Sequence, residues 1–245
     1  MFGKARTFAS IALAALRDRG PAFVARRAAD YAASFVAARY YARVPPKETF
    51  TALGRDHAYF YHLYNITWKN ERAVEVAVAL DFVDRHAGAR LLEVGNALSW
   101  YRAWPHDVLD KYEAARGVLN EDIVEFAPTQ RYDAIVSVST LEHVGWDETP
   151  RDPPKVLRAF ARLHELLAPG GAMLVTVPLG YNPTLDAALR EGALGFARSA
   201  FMLRTARTRW REAAWHEVAH VEYDRPFRGA NALWIGLHTR ASQSS

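Results

Sequence analysis

The chain has 245 residues, half of them hydrophobic, and no cysteine. That length supports one sizeable core, or one core with an appendage, and the composition excludes disulfides, thiolate metal sites and wholesale disorder. The net charge of +4 is uneven: residues 1–47 carry nine Lys/Arg against two acids, a surplus of seven, which leaves the remainder slightly acidic at −3. A near-neutral body with a basic arm does not suit a nucleic-acid-binding core. It suits an anionic surface or an anionic acceptor.

In chain order, residues 8–16 are apolar after a basic start, as in a signal peptide. Arg17, Asp18 and Arg19 follow at once, with no clear small-x-small cleavage site. The run is also far short of the ~20 residues that span a bilayer. A cytoplasmic protein is expected. Across 21–43, Val24, Ala28, Tyr31 and Phe35 recur at helical spacing, and Pro21 suits a first helical turn. This helix either packs on the body with its basic face in solvent, or lies on the inner face of a membrane through residues 1–43. Pro45-Pro46 ends the arm (1–46) and the body (47–245) begins.

Residues 47–69 are dense in aromatics (Phe50, Tyr59, Phe60, Tyr61, Tyr64, Trp68) without visible periodicity. They read as a cover over the core or over a site mouth. Asn70 is a candidate cap for a helix whose apolar stripe is Val74, Val78 and Phe82. From there strands and helices alternate. Residues 90–94, 107–110, 117–119 and 132–138 read as strands. Asp152 and Pro153 open a helix with Val156, Phe160, Leu163 and Leu167 on one face, and Pro169-Gly170-Gly171 stops it. A strand at 172–177 follows. Such alternation predicts a doubly wound, mostly parallel α/β sheet. In the tail, Asn182-Pro183 opens a helix at 184–191, 200–204 is a strand, and 217–224 with 232–238 form an antiparallel hairpin, with an insertion over roughly 183–218.

Leu-Leu-Glu-Val-Gly (91–95) places an acid and a glycine at the carboxyl end of a buried strand, where open parallel sheets bind ligands. Tyr-Asp-Ala-Ile-Val-Ser-Val-Ser-Thr-Leu-Glu-His-Val (132–144) and Leu-Leu-Ala-Pro-Gly-Gly-Ala-Met-Leu-Val-Thr-Val-Pro (166–178) follow it. In order and spacing these three segments resemble the class I S-adenosylmethionine-dependent methyltransferases, of the small-molecule O-methyltransferase type. The resemblance covers roughly 89–180 and implies a Rossmann-like fold with S-adenosylmethionine as cofactor. Glu93, Gly95 and Asn96 would lie at its methionine end, Asp110 at the ribose with Glu113 as rival, and Asp122 at the adenine with Glu121 as rival. Ser139, Thr140 and Leu141 would floor the pocket. The family's first motif continues with two further glycines; here Asn96, Ala97 and Ser99 follow Gly95.

A hydroxyl acceptor gains from a base, and a histidine's ordinary pKa of about 6.5 suits one near neutral pH. His143 is the catalytic candidate, with Tyr181 and Asn182 on the acceptor side. The expected reaction is O-methylation of a small polar or sugar hydroxyl, on a free molecule or a lipid-linked or anionic glycan. Arg190, Arg198, Arg204, Arg207, Arg209 and Arg211 share one stretch with a single acid, and form either a solvated face or an anion site. No metal-ligand spacing is present, so no metal is expected. Two other readings stand beside this one. A methyltransferase-like binding protein without catalysis is suggested by the glycine-poor loop. A nicotinamide-dependent oxidoreductase is opposed by the missing Gly-x-Gly-x-x-Gly.

Overall fold

The computed structural model describes residues 16–242. The apolar run at 8–16 lies, except for Leu16, outside the described residues. The arm is a helix, α1 (Pro21–Arg43), with Pro21 in its first turn. Its packed face differs from the expected stripe. Tyr31 and Phe35 face solvent. The body is reached instead by Asp30 and Ser34, which accept from Lys69 Nζ at 2.7 and 2.9 Å, and by Tyr41, edge-on to Tyr61. An Ala- and Arg-rich helix has little apolar contrast around its girth, so one ion pair and the contacts of Tyr41 with Tyr61 and Trp68 decide its seating.

The aromatic stretch contains a hairpin that periodicity does not reveal, β1 (Thr49–Ala52) and β2 (Arg55–Ala58). A 3-10 turn (Tyr64–Lys69) leads to α2 (Arg72–Arg85). Asn70 contributes its side-chain oxygen, which accepts from the Arg72 amide at 3.0 Å. Val74, Val78 and Phe82 are buried, as their spacing requires.

The central sheet has eight strands. They are β3 (Leu91–Val94), β4 (Asp107–Leu109), β5 (Val118–Leu119), β6 (Tyr132–Val138), β7 (Leu167–Pro178), β8 (Arg198–Ala206), β9 (Arg209–Ala213) and β10 (Ala232–Thr239). Their order is β5-β4-β3-β6-β7-β10-β8-β9. The first five are parallel, β10 is antiparallel to β7 and β8, and β8–β9 is an antiparallel hairpin. The remaining helices are α3 (Lys155–Leu166), α4 (Pro183–Glu191) and α5 (Trp215–Val218). Its inner strands β3, β6 and β7 are buried on both faces and read as continuous apolar runs. Alternate residues serve opposite cores. Leu92, Ile135, Met173, Val175 and Trp234 meet α3 and α4. Leu91, Ala134, Val136, Leu174 and Leu233 meet α2 and the β1–β2 hairpin. No helix among the described residues is long and apolar enough to cross a membrane.

Three expectations fail locally. Residues 217–224 are not a strand: Trp215–Val218 is helical, and β10 pairs with β7 and β8. Asp152 does not cap α3, which starts after Pro154; its carboxylate bonds Arg158. Pro169-Gly170-Gly171 sits inside β7 as a bulge between the pairs Tyr132–Leu167 and Ala134–Ala172, so Leu167 is a strand residue. A Cβ on Gly171 would meet the carbonyls of Ala168 and Asp133 at 2.9 Å.

Candidate active site

The chain order turns back between β3 and β6: β4 and β5 lie on one side of β3, β6 and β7 on the other. The carboxyl ends of strands at such a reversal form a crevice. Here the crevice is a cavity of about 670 Å³. Its walls come from the loop after β3 (Asn96, Ala97, Trp100, Tyr101), the end of β4 (Asp110 to Glu113) and residues 121–123. The segment after β6 (Ser139, Thr140, His143, Asp147, Glu148) and Tyr64, Asn65 and Arg72 complete it.

Of the residues singled out by sequence, Asn96, Asp110, Asp122, Ser139, Thr140 and His143 line this cavity, as do the rivals Glu113 and Glu121. Five others do not. Glu93 is buried under the loop: Oε1 accepts from the Leu98 amide at 2.5 Å and Oε2 pairs with His106 Nε2 at 2.7 Å. Both oxygens are committed to holding the loop and leave none facing a ligand. Gly95 has φ +83°, and a Cβ there would overlap the Thr140 side chain. The glycine is required by the contact of two loops. Leu141 is a core residue. Asn182 is fully buried as the cap of α4, its oxygen accepting from Thr184 and Leu185 and its amide donating to the Glu142 carbonyl. Tyr181 stands beside the cavity and acts through Asp147.

Asp110 Oδ1 accepts the amides of Tyr112 and Glu113, both at 2.8 Å, so the turn after β4 is closed by one oxygen of the carboxylate. Asp122 is more fully engaged. Its Oδ1 accepts from Val124, and Oδ2 takes Lys155 and Lys111, which also hold Glu148. Burial pushes the Asp122 carboxyl up, but those lysines outweigh it and hold it at about 2.

After β6 the backbone kinks, with Ser139 at φ +41°. Strain of that kind gathers at functional sites. Ser139 Oγ donates to Glu75 Oε1 (2.6 Å), as does Thr176 Oγ1 (2.8 Å), and Arg72 pairs with the other Glu75 oxygen at 2.7 Å. Arg72 thus rises from a buried acidic cluster (Glu71, Glu75, Glu142) into the cavity wall. Burial opposes its charge, but Glu75, Glu71 and Glu142 outweigh that and raise its pKa. Glu142 has an oxygen with no partner, and burial raises its carboxyl well above the ordinary range. Nothing local in the sequence marks Arg72; its role comes from acids brought together by the fold.

His143 is half-exposed at the cavity edge. Its Nδ1 meets Asp147 Oδ2 at 2.5 Å, the same oxygen that accepts from Tyr181 Oη at 2.6 Å. Burial alone would raise the Asp147 carboxyl, but the bonds from Tyr181 and His143 keep it below its ordinary value. Tyr64 and Trp100 stack at 5.1 Å and 12° over the other wall. The aromatic stretch is therefore cover at Tyr59 and Trp68 and site wall at Tyr64. The arginines of the tail are mostly structural. Arg190, Arg209 and Arg211 pair with Glu191, Glu48 and Glu217, and Arg198 donates to the Leu53 carbonyl. Arg204 is buried among the carbonyls of Lys69, Arg207, Arg228 and Ala230.

A family model described as "Methyltransferase domain" matches residues 66–226, which takes in every strand from β3 to β9. The chain is a class I methyltransferase. Its cofactor, S-adenosylmethionine, is the family's methyl donor. No curated protein matches the chain. Several solved structures resemble the methyltransferase in outline. The N-methyltransferase NodS from Bradyrhizobium japonicum, with S-adenosyl-l-homocysteine, is 13% identical over 67% of this chain and 85% of its own, at a TM-score of 0.41. A SAM-dependent methyltransferase from Archaeoglobus fulgidus is 13% identical over 73% and 98%, at 0.43. The 1,6-didemethyltoxoflavin-N1-methyltransferase from Burkholderia thailandensis is 16% identical over 80% and 97%, at 0.43. The acceptor of this methyltransferase has to be sought in its own cavity.

The cavity fits the cofactor chemically. Asp110, Glu113, Glu121, Asp122, Asp147 and Glu148 line it against Arg72 and Lys111, a predominantly acidic wall suited to a ligand carrying a sulfonium and an ammonium. Asp110 uses one oxygen in its own turn, and its second oxygen takes no part in that turn.

Proposed function

We propose that this methyltransferase moves a methyl group onto a hydroxyl oxygen of a small polar or sugar-like acceptor, with His143 as the base. The run of contacts from Tyr181 through Asp147 to His143 carries this reading. When bound, S-adenosylmethionine supplies a methyl carbon on a sulfonium, open to in-line displacement by an oxygen held about 3–3.5 Å away.

The ionised Asp147 accepts from Nδ1–H, so in the neutral ring the lone pair lies on Nε2. This tautomer is assigned from the hydrogen-bond network. Glu142 Oε1 stands 3.5 Å from Nε2. Burial raises the Glu142 carboxyl well above its ordinary range, and this separation is at the outer limit of a hydrogen bond, so the contact with Nε2 is weak. Nε2 is therefore free to take the acceptor's hydroxyl proton. Tyr181 fixes Asp147, and the T-shaped contact of its ring with His143 at 4.9 Å limits imidazole rotation. Arg72 is the cation in the wall that suits a carboxylate, and Asp110 suits vicinal hydroxyls.

The test is His143→Ala on panels of hydroxyl and amine acceptors with the cofactor in excess. A fall of about 10²–10⁴-fold in kcat on the hydroxyl substrate supports the base. Unchanged turnover removes the role. Saturable cofactor binding by wild type with no turnover on any acceptor would favour a binding protein instead.

A further inference from the structure

The large exposed apolar side chains of this protein are concentrated on its arm. Leu16, Tyr31, Phe35, Val36, Tyr40 and Val44 belong to that group, which has only five members in the rest of the described chain. Val36 is 68% exposed and Tyr31 59%. Single exposed apolar residues need no explanation, but Tyr31, Phe35, Val36 and Tyr40 clustered on one helix do. Phe35, Val36, Arg39, Tyr40 and Arg43 fall at i, i+1, i+4, i+5 and i+8 of α1, so they share one side of it. The opposite side carries the anchor contacts of Ser34 and Tyr41.

Charge identifies the occupant. Asp30 is the only acid between residues 19 and 47, and Lys69 already neutralises it. Arg26, Arg27, Arg39 and Arg43 therefore have no further acid on their own helix. Arg19 and Arg39 lie over the rings of Phe23 and Phe35, at 5.0 and 5.4 Å, and keep cation and apolar surface side by side. Guanidiniums interleaved with apolar side chains on one exposed face suit an anionic headgroup layer, rings toward the acyl boundary and guanidiniums on phosphates. We infer that α1 docks this protein on an anionic bilayer. The anchoring turn Tyr64–Lys69 serves both functions. Lys69 and Trp68 hold the helix, while Tyr64 and Asn65 form cavity wall. The side of α1 that faces away from the bilayer is thus joined to the cavity wall by one short turn.

The experiment is co-sedimentation of the full chain with vesicles of phosphatidylglycerol and phosphatidylcholine in equal parts, against phosphatidylcholine alone, at low and high salt. The partner variants are Val36→Asp/Tyr40→Asp and Arg39→Glu/Arg43→Glu. All four side chains point to solvent, so far-UV circular dichroism and cofactor titration should match wild type. Partition onto the anionic vesicles should exceed that onto neutral ones by about tenfold or more and weaken with salt, and each double variant should lose about tenfold or more. Equal partition onto both vesicle types, or variants that bind as wild type, would overturn the inference. So would a concentration-dependent dimer abolished by Val36→Asp/Tyr40→Asp with no vesicle binding, since the face would then belong to a second copy.

Discussion

Glu93 provides the sharpest test of how the loop after β3 is held. It is 1% exposed and serves two partners, the Leu98 amide and His106, itself buried. His106 Nδ1 faces the Trp104 carbonyl at 2.9 Å, an acceptor, so that nitrogen carries a proton. Burial works against a charged imidazole, but the hydrogen bond to Glu93, the Trp104 carbonyl and the nearby carboxylate charges together outweigh it and raise the His106 pKa. Glu93→Ala leaves an amide and a histidine unpaired in the interior, a loss of about 3–5 kcal/mol. Glu93→Gln keeps both hydrogen bonds with a neutral ring and costs about 1–2 kcal/mol at pH 6.

The pH dependence has a definite sign. A raised folded-state pKa contributes stability that is fully present below the unfolded value of about 6.5 and is lost as pH rises through the folded value. The gap between wild type and Glu93→Gln is therefore largest near pH 6 and shrinks by pH 9. Urea unfolding of the cofactor-free protein at both values measures it. A gap independent of pH would refute the ion pair. A stable Glu93→Ala that no longer binds cofactor would refute the clamp and make Glu93 a ligand.

Three further outcomes follow from contacts. Gly95→Ala should cost about 2–4 kcal/mol by thermal or urea unfolding, combining a left-handed backbone with overlap against Thr140; pairing it with Thr140→Gly should recover part of that loss. Tyr181→Phe removes the hydroxyl that fixes Asp147 and should lower kcat several-fold with KM little changed, shifting the pH–rate profile where a purely structural tyrosine would not. Arg204→Met removes a guanidinium that satisfies four backbone carbonyls and should destabilise by about 2–4 kcal/mol, with cofactor affinity nearly unaltered in the folded fraction.

Much of the fold is legible in the sequence where a pattern is local and long. β6, β7 and α3 announce themselves because a doubly covered strand is a continuous apolar run, and because Val156, Phe160 and Leu163 keep one helix face. The β1–β2 hairpin escapes notice. Its strands are four residues long, and its turn is Leu53-Gly54, both at positive φ, where Asn-Gly would be the recognisable signal. Residues 217–224 mislead because Val218 and Val221 suggest a strand, while Glu217 turns the chain by accepting from the Ala214 amide and Arg211. In the site, Asp110, Ser139 and His143 are legible by position after a strand. Arg72 is not, since a distant segment brings it to the cavity, and Tyr64 is legible only as one of an aromatic stretch that could cover the core or a site mouth. Asn182 illustrates a conflict between two local signals: its place after β7 suggests the acceptor side, and its place before Pro183 a helix cap. Its burial settles the question for the cap.

The central claim is that the crevice beyond β3, β4 and β6 is the seat of the cofactor. Isothermal titration of the full chain with S-adenosylhomocysteine, for wild type and Asp110→Asn, tests it most directly. One saturable site is expected, weakened about tenfold or more by the substitution, since a buried polar contact of this type is worth about 1.5 kcal/mol or more. Absence of binding by a folded wild type, or an unchanged isotherm for Asp110→Asn, would contradict it.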